Sequence, residues 1–270
     1  MSKVSDLRML LVVDIGNTNV TLGLFGEAKL RDSWRISTDR ARMADEYRLL
    51  LVELLRGAGL TTSDLCGAIL ASVVPPVLEA ISEALRKLNV DVTVLRVGRQ
   101  LGLEVRYEPP ESVGADRLAN GIAATEIYGT PAIIVDLGTA TTIEVIDKAG
   151  AYIGGSIGPG LESSMEALFR GAFQLARLQL VAPPRAIGAT TADSIRSGAV
   201  FGWAAMVDGL IDRFRAELDG KPVVIGTGGL AALVAPHSRT ITVVDVDLTL
   251  HGLRIAYDRI SAAAESRSKD

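Results

Sequence analysis

Two short stretches of this sequence set an acidic residue, a glycine and small polar residues in the same order. Asp14-Ile15-Gly16-Asn17-Thr18 follows an apolar run at 9–13, and Asp136-Leu137-Gly138-Thr139-Ala140 follows another at 132–135. A strand that ends in such a turn suits a polyphosphate. Glycine lets the backbone approach, turn N–H groups point at phosphate oxygens, and hydroxyl or amide side chains add donors. An aspartate beside a polyphosphate repels it unless a cation lies between them, so Asp14 and Asp136 predict metal ions that bridge protein and phosphate. One Asp-x-Gly alone is as readily a plain turn after a strand, but two copies with matched flanks favour binding. The motif is not a Walker loop, since no Gly-x-x-x-x-Gly-Lys-Ser/Thr string occurs.

The elements that must hold these turns can be read from periodicity. Residues 10–13 form a short buried-strand run, 20–24 alternate as a second strand, and 29–36 add a third. Tyr47, Leu50, Leu51, Leu54 and Leu55 mark one face of a helix over 44–56, ended by Gly57 and Gly59. A strand over 67–73 follows, then a helix opened by Pro75-Pro76 that runs to 88, and a strand over 92–95. Residues 104–114 read as an ordered loop and 117–128 as a helix, after which the strand–turn–strand pattern restarts and continues into an alternating strand at 143–147. The offset of 122 positions between Asp14 and Asp136 is too long for a solenoid and predicts duplication. The expected result is two similar α/β domains, 1–121 and 122–270, with a central cleft.

Two further glycine clusters stand out. Gly226-Thr227-Gly228-Gly229 joins a strand to a helix, a place for close approach to a ribose or base, or for packing alone. Gly154-Gly155-Ser156-Ile157-Gly158-Pro159-Gly160 follows a hairpin and contains proline, so it does not read as a dinucleotide fingerprint.

Bulk properties narrow the classes. The 270 residues are 48% hydrophobic and 22% charged with net charge -4, enough for a sizeable core and without the basic face of a nucleic-acid binder. The single cysteine, Cys66, excludes an internal disulfide, fits a reducing cytoplasm and reads as a buried thiol. No apolar run approaches the roughly 18 residues of a membrane span, and the polar residues 1–8 carry no secretory signal. His237 and His251 have no metal-ligand spacing, Trp203 with Met206 and Val207 reads as a packing face, and 262–270 as a fraying charged helix end.

Two Asp-x-Gly turns followed by a late Gly-Thr-Gly-Gly resemble the superfamily of acetate and sugar kinases, heat-shock chaperones and actin. Asp14-Ile15-Gly16-Asn17-Thr18-Asn19, Gly114-Ala115-Asp116-Arg117, Asp136-Leu137-Gly138-Thr139-Ala140-Thr141, Gly154-Gly155 with Pro159-Gly160-Leu161, and Thr191 followed by Ser197-Gly198 together resemble the type III pantothenate kinase family, over residues 9 to about 258. The resemblance implies two ribonuclease H-like (actin-like ATPase) domains and ATP-dependent phosphorylation of the primary hydroxyl of pantothenate, the first step towards coenzyme A. It also implies a homodimer needing Mg2+ and a monovalent cation, K+ or NH4+.

By the same resemblance, Asp14, Ile15, Gly16, Asn17, Thr18, Asn19, Val20, Thr21 and Thr139 line the ATP phosphates. Asp116 accepts the proton, Asp136 holds the monovalent cation, and Tyr107, Gly114, Ala115, Asp116, Arg117 and Thr191 contact pantothenate. The residue types allow this: a carboxylate can take the hydroxyl proton, and an arginine can grip a carboxylate. Plainer readings remain beside each one: a helix cap for Asp116, a surface ion pair for Arg117, a loop aromatic for Tyr107, a helix start for Thr191. Ala176 stands where relatives often carry proline, and Thr190 where a residue such as Asn is usual. A phosphohydrolase of the same fold, or a non-catalytic nucleotide-switched regulatory module, are the competing functions; the intact carboxylates at 14, 116 and 136 weigh against the latter.

Overall fold

The computed structural model describes residues 8–171 and 178–267. The chain groups into two units. The first contains the chain up to Gly102, Glu108–Ala123 and the stretch from Thr249 onward; the second contains Leu103–Tyr107 and Ala124–Leu248. Against the 121/122 division drawn from the sequence, residues 103–107 group with the second unit and the C-terminal stretch groups with the first.

In the first unit β1 (Met9–Ile15), β2 (Asn19–Gly26) and β3 (Lys29–Ser37) form an antiparallel meander, followed by helix α1 (Ala44–Gly57). β4 (Leu65–Ser72), helix α2 (Pro75–Lys87) and β5 (Val92–Val94) then extend the sheet in parallel, giving the order β3-β2-β1-β4-β5. β1 is central and covered on both faces, which is why it reads as an unbroken apolar run. Tyr47 and Leu51 of α1 and Val77, Ile81 and Leu85 of α2 bury into the core formed with Leu11, Val13, Ile15 and Leu70, while Leu55 of α1 packs with Met9 and Leu24. Each such side chain contributes about 2 kcal/mol of transfer free energy. Gly57 lies inside α1; the left-handed residue that follows the helix is Gly59, at φ 74°. Cys66, on β4, is half-buried rather than fully buried, and burial pushes its thiol pKa up.

Helix α3 (Ala115–Ala123) begins two residues earlier than periodicity predicted and passes into a π-helical turn, Ala124–Tyr128. The wider turn interrupts the 3.6-residue register from which the longer helix was read.

The second unit repeats the plan. β6 (Ala132–Leu137), β7 (Ala140–Ile146) and β8 (Tyr152–Pro159) are antiparallel, helices α4 (Leu161–Gly171) and α5 (Thr191–Glu217) follow, and β9 (Val223–Thr227), α6 (Ala231–Val234) and β10 (Val243–Val244) complete it. The order β10-β9-β6-β7-β8 is the first sheet's order with each strand replaced by its counterpart. This is the ribonuclease H-like arrangement, present twice.

Thr191, read as a helix start, is the first residue of α5. α5 runs on because Ala204, Val207 and Ile211 continue its buried stripe into the core of Val135, Val145 and Val224, and that packing outweighs the low helix propensity of Gly202 and Gly209. The glycine run at 154–160 differs from expectation, since most of it is strand β8. Gly155 sits at φ 156°, and a Cβ there would overlap the Ile143 carbonyl oxygen and lie 2.8 Å from its carbon. The last described element is α7 (Leu248–Arg267). There Gly252 lets the backbone meet that of Ala119 on α3, and the Thr249 hydroxyl donates to Asn120 Oδ1 at 2.7 Å. Among the described residues no helix is long and apolar enough to cross a membrane. Ala176 lies outside the described residues.

Candidate active site

Asp14 is half-buried at the end of β1, opposite Thr21 on β2 and Ala71 on β4. Beyond it Ile15 is buried, and Gly16 closes the turn by donating its N–H to the Asn19 carbonyl at 2.9 Å. Asn17, Thr18 and Asn19 are exposed at the tip, while Val20 is buried and Thr21 half-buried on β2. The strand thus anchors the carboxylate and the hairpin presents the polar tip. Two residues that the motif did not single out brace this turn. The Thr38 hydroxyl donates to the Gly16 carbonyl at 2.7 Å, its N–H donates to the Thr18 carbonyl at 2.9 Å, and Arg40 Nη2 donates to Asn17 Oδ1 at 3.2 Å. No local pattern announces them; the pairing of Asn19 with Ser37 across the sheet delivers them.

Asp116 lies in the first turn of α3, where the helix dipole favours a carboxylate. Its Oδ1 accepts the Arg117 N–H at 2.8 Å, and the Gly114 carbonyl accepts Leu118 N–H at 3.0 Å to start the helix. A Cβ on Gly114 would meet Asp116 Oδ1, so a larger residue there would turn that carboxylate aside. Ala115, Asp116 and Arg117 are all half-buried, and Arg117 also reaches the Ser112 carbonyl at 3.4 Å. Asp116 is the second residue of α3 rather than its N-cap, and one of its oxygens is engaged with the backbone.

The second turn is shorter. Asp136 is half-buried at the end of β6, opposite Thr142 on β7 and Thr227 on β9, and Gly138 N–H reaches the Ala140 carbonyl at 3.1 Å. Only Thr139 stands exposed at the tip, against Asn17, Thr18 and Asn19 in the first copy. The pairing Leu137–Thr141 spans one residue fewer than Ile15–Val20, so the ungapped match of the two motifs holds only through the glycine. Gly228, at φ 86°, passes directly over Asp136: a Cβ there would overlap the carboxylate and lie 2.8 Å from Leu137 backbone atoms. The late glycine cluster therefore belongs to the surroundings of Asp136. Beneath the turn, Ser163 Oγ donates to the Thr139 carbonyl at 3.1 Å, and Trp203 Nε1 donates to the Thr141 hydroxyl at 2.9 Å.

Tyr107 packs edge-on against Tyr152, ring centroids 6.2 Å apart, and flanks Gly154, where a Cβ would come 3.7 Å from its ring. Thr191 is exposed as the first residue of α5, and Thr190 is that helix's cap, its hydroxyl accepting the Asp193 N–H at 3.1 Å. Threonine caps the helix there, although it ranks below asparagine in that role. Asp14 through Thr21 and Gly114 through Arg117 belong to the first unit; Tyr107, Asp136, Thr139 and Thr191 belong to the second. His237 packs on Phe201 and His251 on Phe25, and among the described residues no group of three His, Cys, Asp or Glu is arranged to hold a metal by protein ligands alone.

The fold is that of solved actin-like ATPase structures. Component A of (R)-2-hydroxyglutaryl-CoA dehydratase from Acidaminococcus fermentans superposes with a TM-score of 0.58 at 13% identity, covering 94% of this chain and 99% of that one. The activator of 2-hydroxyisocaproyl-CoA dehydratase from Clostridium difficile, solved with bound ADPNP, gives 0.56 at 13%, covering 97% and 98%. Type III pantothenate kinases of Thermomicrobium roseum and Moorella thermoacetica are 49% and 45% identical, each over 93% of this chain and 98% or 99% of their own. The family model for type III pantothenate kinase matches residues 10–213, a span that takes in both turns and the Asp116 helix start, and the chain belongs to that family.

Proposed function

We propose that this protein transfers the γ-phosphoryl group of ATP to the primary hydroxyl of pantothenate, yielding 4'-phosphopantothenate and ADP in the first step of coenzyme A biosynthesis. The observation that carries this reading is the pair of Asp-x-Gly turns at equivalent places in two sheets of the same order, within a chain of this family. The residues from Asp14 to Thr21 receive the ATP phosphates, with Thr139 adding a hydroxyl. Arg117, Tyr107, Gly114, Ala115 and Thr191 hold pantothenate, Arg117 through its carboxylate. The hydroxyl oxygen then bonds to the γ-phosphorus, the bond to the β,γ-bridging oxygen breaks, and the hydroxyl proton passes to the Asp116 carboxylate.

The donor sets fit the implied cations. Asp14 lies outside any cluster of potential metal-ligating side chains among the described residues, which suits Mg2+, an ion that keeps several waters and takes its other oxygens from phosphates. Asp136, whose carboxylate lies where side chains on Gly138 and Gly228 would intrude, suits a K+ or NH4+ ion. Bound there, such cations neutralise phosphate charge. The protein acts as a homodimer: Gly198, Gly202, Ala205 and Gly209 recur along one exposed face of α5 beside Met206, a surface on which helices can approach closely. A cytoplasmic site agrees with the single cysteine.

The test is ATP consumption with Mg2+ and K+, with and without pantothenate. Pantothenate-dependent ADP formation is expected, and replacing K+ by Na+ should lower it. ATP loss that ignores pantothenate would favour the hydrolase instead.

A further inference from the structure

The geometry points to Thr38 as a positioning residue that sets the first phosphate turn, through its hydroxyl bond to the Gly16 carbonyl. The inference rests on the proposed role of that turn in binding ATP phosphates.

A turn offered to a polyphosphate has a built-in conflict. Its N–H groups attract the anion, but each carbonyl oxygen that turns toward it repels it. Thr38, half-buried just past β3, engages two of these carbonyls at once: its hydroxyl donates to Gly16 at 2.7 Å and its backbone N–H to Thr18 at 2.9 Å. A third link closes the same tip, since the Gly16 N–H donates to the Asn19 carbonyl at 2.9 Å. The carbonyls of Gly16, Thr18 and Asn19 are therefore all committed within the protein, and the polar tip is left to present donors. The neighbouring Arg40 to Asn17 contact, at 3.2 Å, braces the amide side chain at the centre of the tip. The short turn at Gly138-Thr139 is supported otherwise, by the Ser163 hydroxyl on the Thr139 carbonyl, so each copy has one hydroxyl from outside the motif fastened to a turn carbonyl.

Thr38→Val removes the hydroxyl while keeping shape and the backbone N–H that reaches Thr18. Thr38→Ser restores the hydroxyl. MgATP affinity of the wild type and both variants is measured by calorimetry, and KM for ATP and for pantothenate by ADP release. Loss of one hydrogen bond that orders a phosphate site corresponds to about a tenfold change. We expect the valine variant to bind MgATP about tenfold more weakly and to raise KM for ATP but not for pantothenate, with the serine variant within about threefold of wild type. Unchanged MgATP affinity in the valine variant, or a serine variant as weak as the valine one, overturns the positioning role. If the wild type binds MgATP but does not phosphorylate pantothenate, the functional reading fails while the affinities still decide the role of Thr38. A wild type that binds no MgATP overturns both.

Discussion

Gly160→Ala offers a sharp test of the second turn, because the perturbation is one methyl group. Gly160 follows β8 and lies beneath the Gly138-Thr139 turn. A Cβ there would overlap the Thr139 carbonyl oxygen and stand 2.6 Å from the Gly138 oxygen and 2.7 Å from the Thr139 carbonyl carbon. These are backbone atoms, which cannot rotate away as a side chain would, so the turn must retreat by about 1 Å to restore ordinary contact. Its support from Ser163 would be disturbed by the same movement. A displacement of about 1 Å at a positioned group typically lowers a rate on the order of 100-fold, and overpacking of this kind destabilises by about 1–3 kcal/mol. The expected result is a kcat/KM for pantothenate reduced about 100-fold in coupled ADP-release assays, with a urea midpoint lowered accordingly. Gly57→Ala is the control: it lies within α1 with nothing within 4 Å of the added Cβ, so it should stabilise by about 0.5–1 kcal/mol and leave turnover alone. Near-normal kcat/KM and stability in Gly160→Ala would refute the claim that this glycine sets the Thr139 turn.

Other expectations follow from named contacts. Asp116→Asn keeps an acceptor for the Arg117 N–H and should fold normally, yet lose on the order of 100-fold or more in kcat by removing the proposed proton acceptor; turnover within tenfold of wild type would exclude that role. Asp208 is buried and accepts from the Ser238 and Thr240 hydroxyls, both at 2.6 Å, and from the Arg239 and Thr240 N–H groups. Asp208→Ala would strand these donors and lower stability by about 3 kcal/mol in urea unfolding. Burial pushes the Asp208 pKa up, but the bonds from Arg239, Ser238 and Thr240 outweigh it and leave the group below the usual carboxylate value. Its stabilisation is thus complete above about pH 4 and is lost as the pH falls through the lowered folded value, so the gap between wild type and Asp208→Ala should shrink in acid. Gly252→Val should destabilise and reduce activity together, because the new side chain would enter the Ala119 backbone of the helix that bears Asp116; an unaffected melting temperature would show that α7 does not brace α3 there.

The two carboxylate turns were legible because their chemistry is local: a strand, a tight turn and a polar tip need only consecutive residues. Asp116 was legible only as part of the string from Gly114 to Arg117, since on its own it reads equally as a helix cap. Thr38, Ser163 and Trp203 were not legible as parts of the turns, because they reach them across strand pairs or from a helix, with no fixed spacing in the chain. The π-helical turn at Ala124–Tyr128 escaped the periodic reading because its apolar residues continue a pattern whose register the backbone alone interrupts. The strand at 152–159 escaped because glycine usually argues against a strand, and only the close approach of Ile143 makes it necessary there.

Amino-acid order alone determined that this chain is duplicated, that each copy ends a buried strand in an aspartate-glycine turn, and which family it resembles. These properties rest on burial patterns and on short-range backbone preferences that the local sequence carries. Tertiary structure decided what makes the turns unequal. One residue fewer in the second turn, glycines 160 and 228 pressed against it, and Thr38 fastened to the first are consequences of strand register and of close backbone approach. Such contacts join residues far apart in the chain, and their tolerances are set by packing between elements rather than by any one segment.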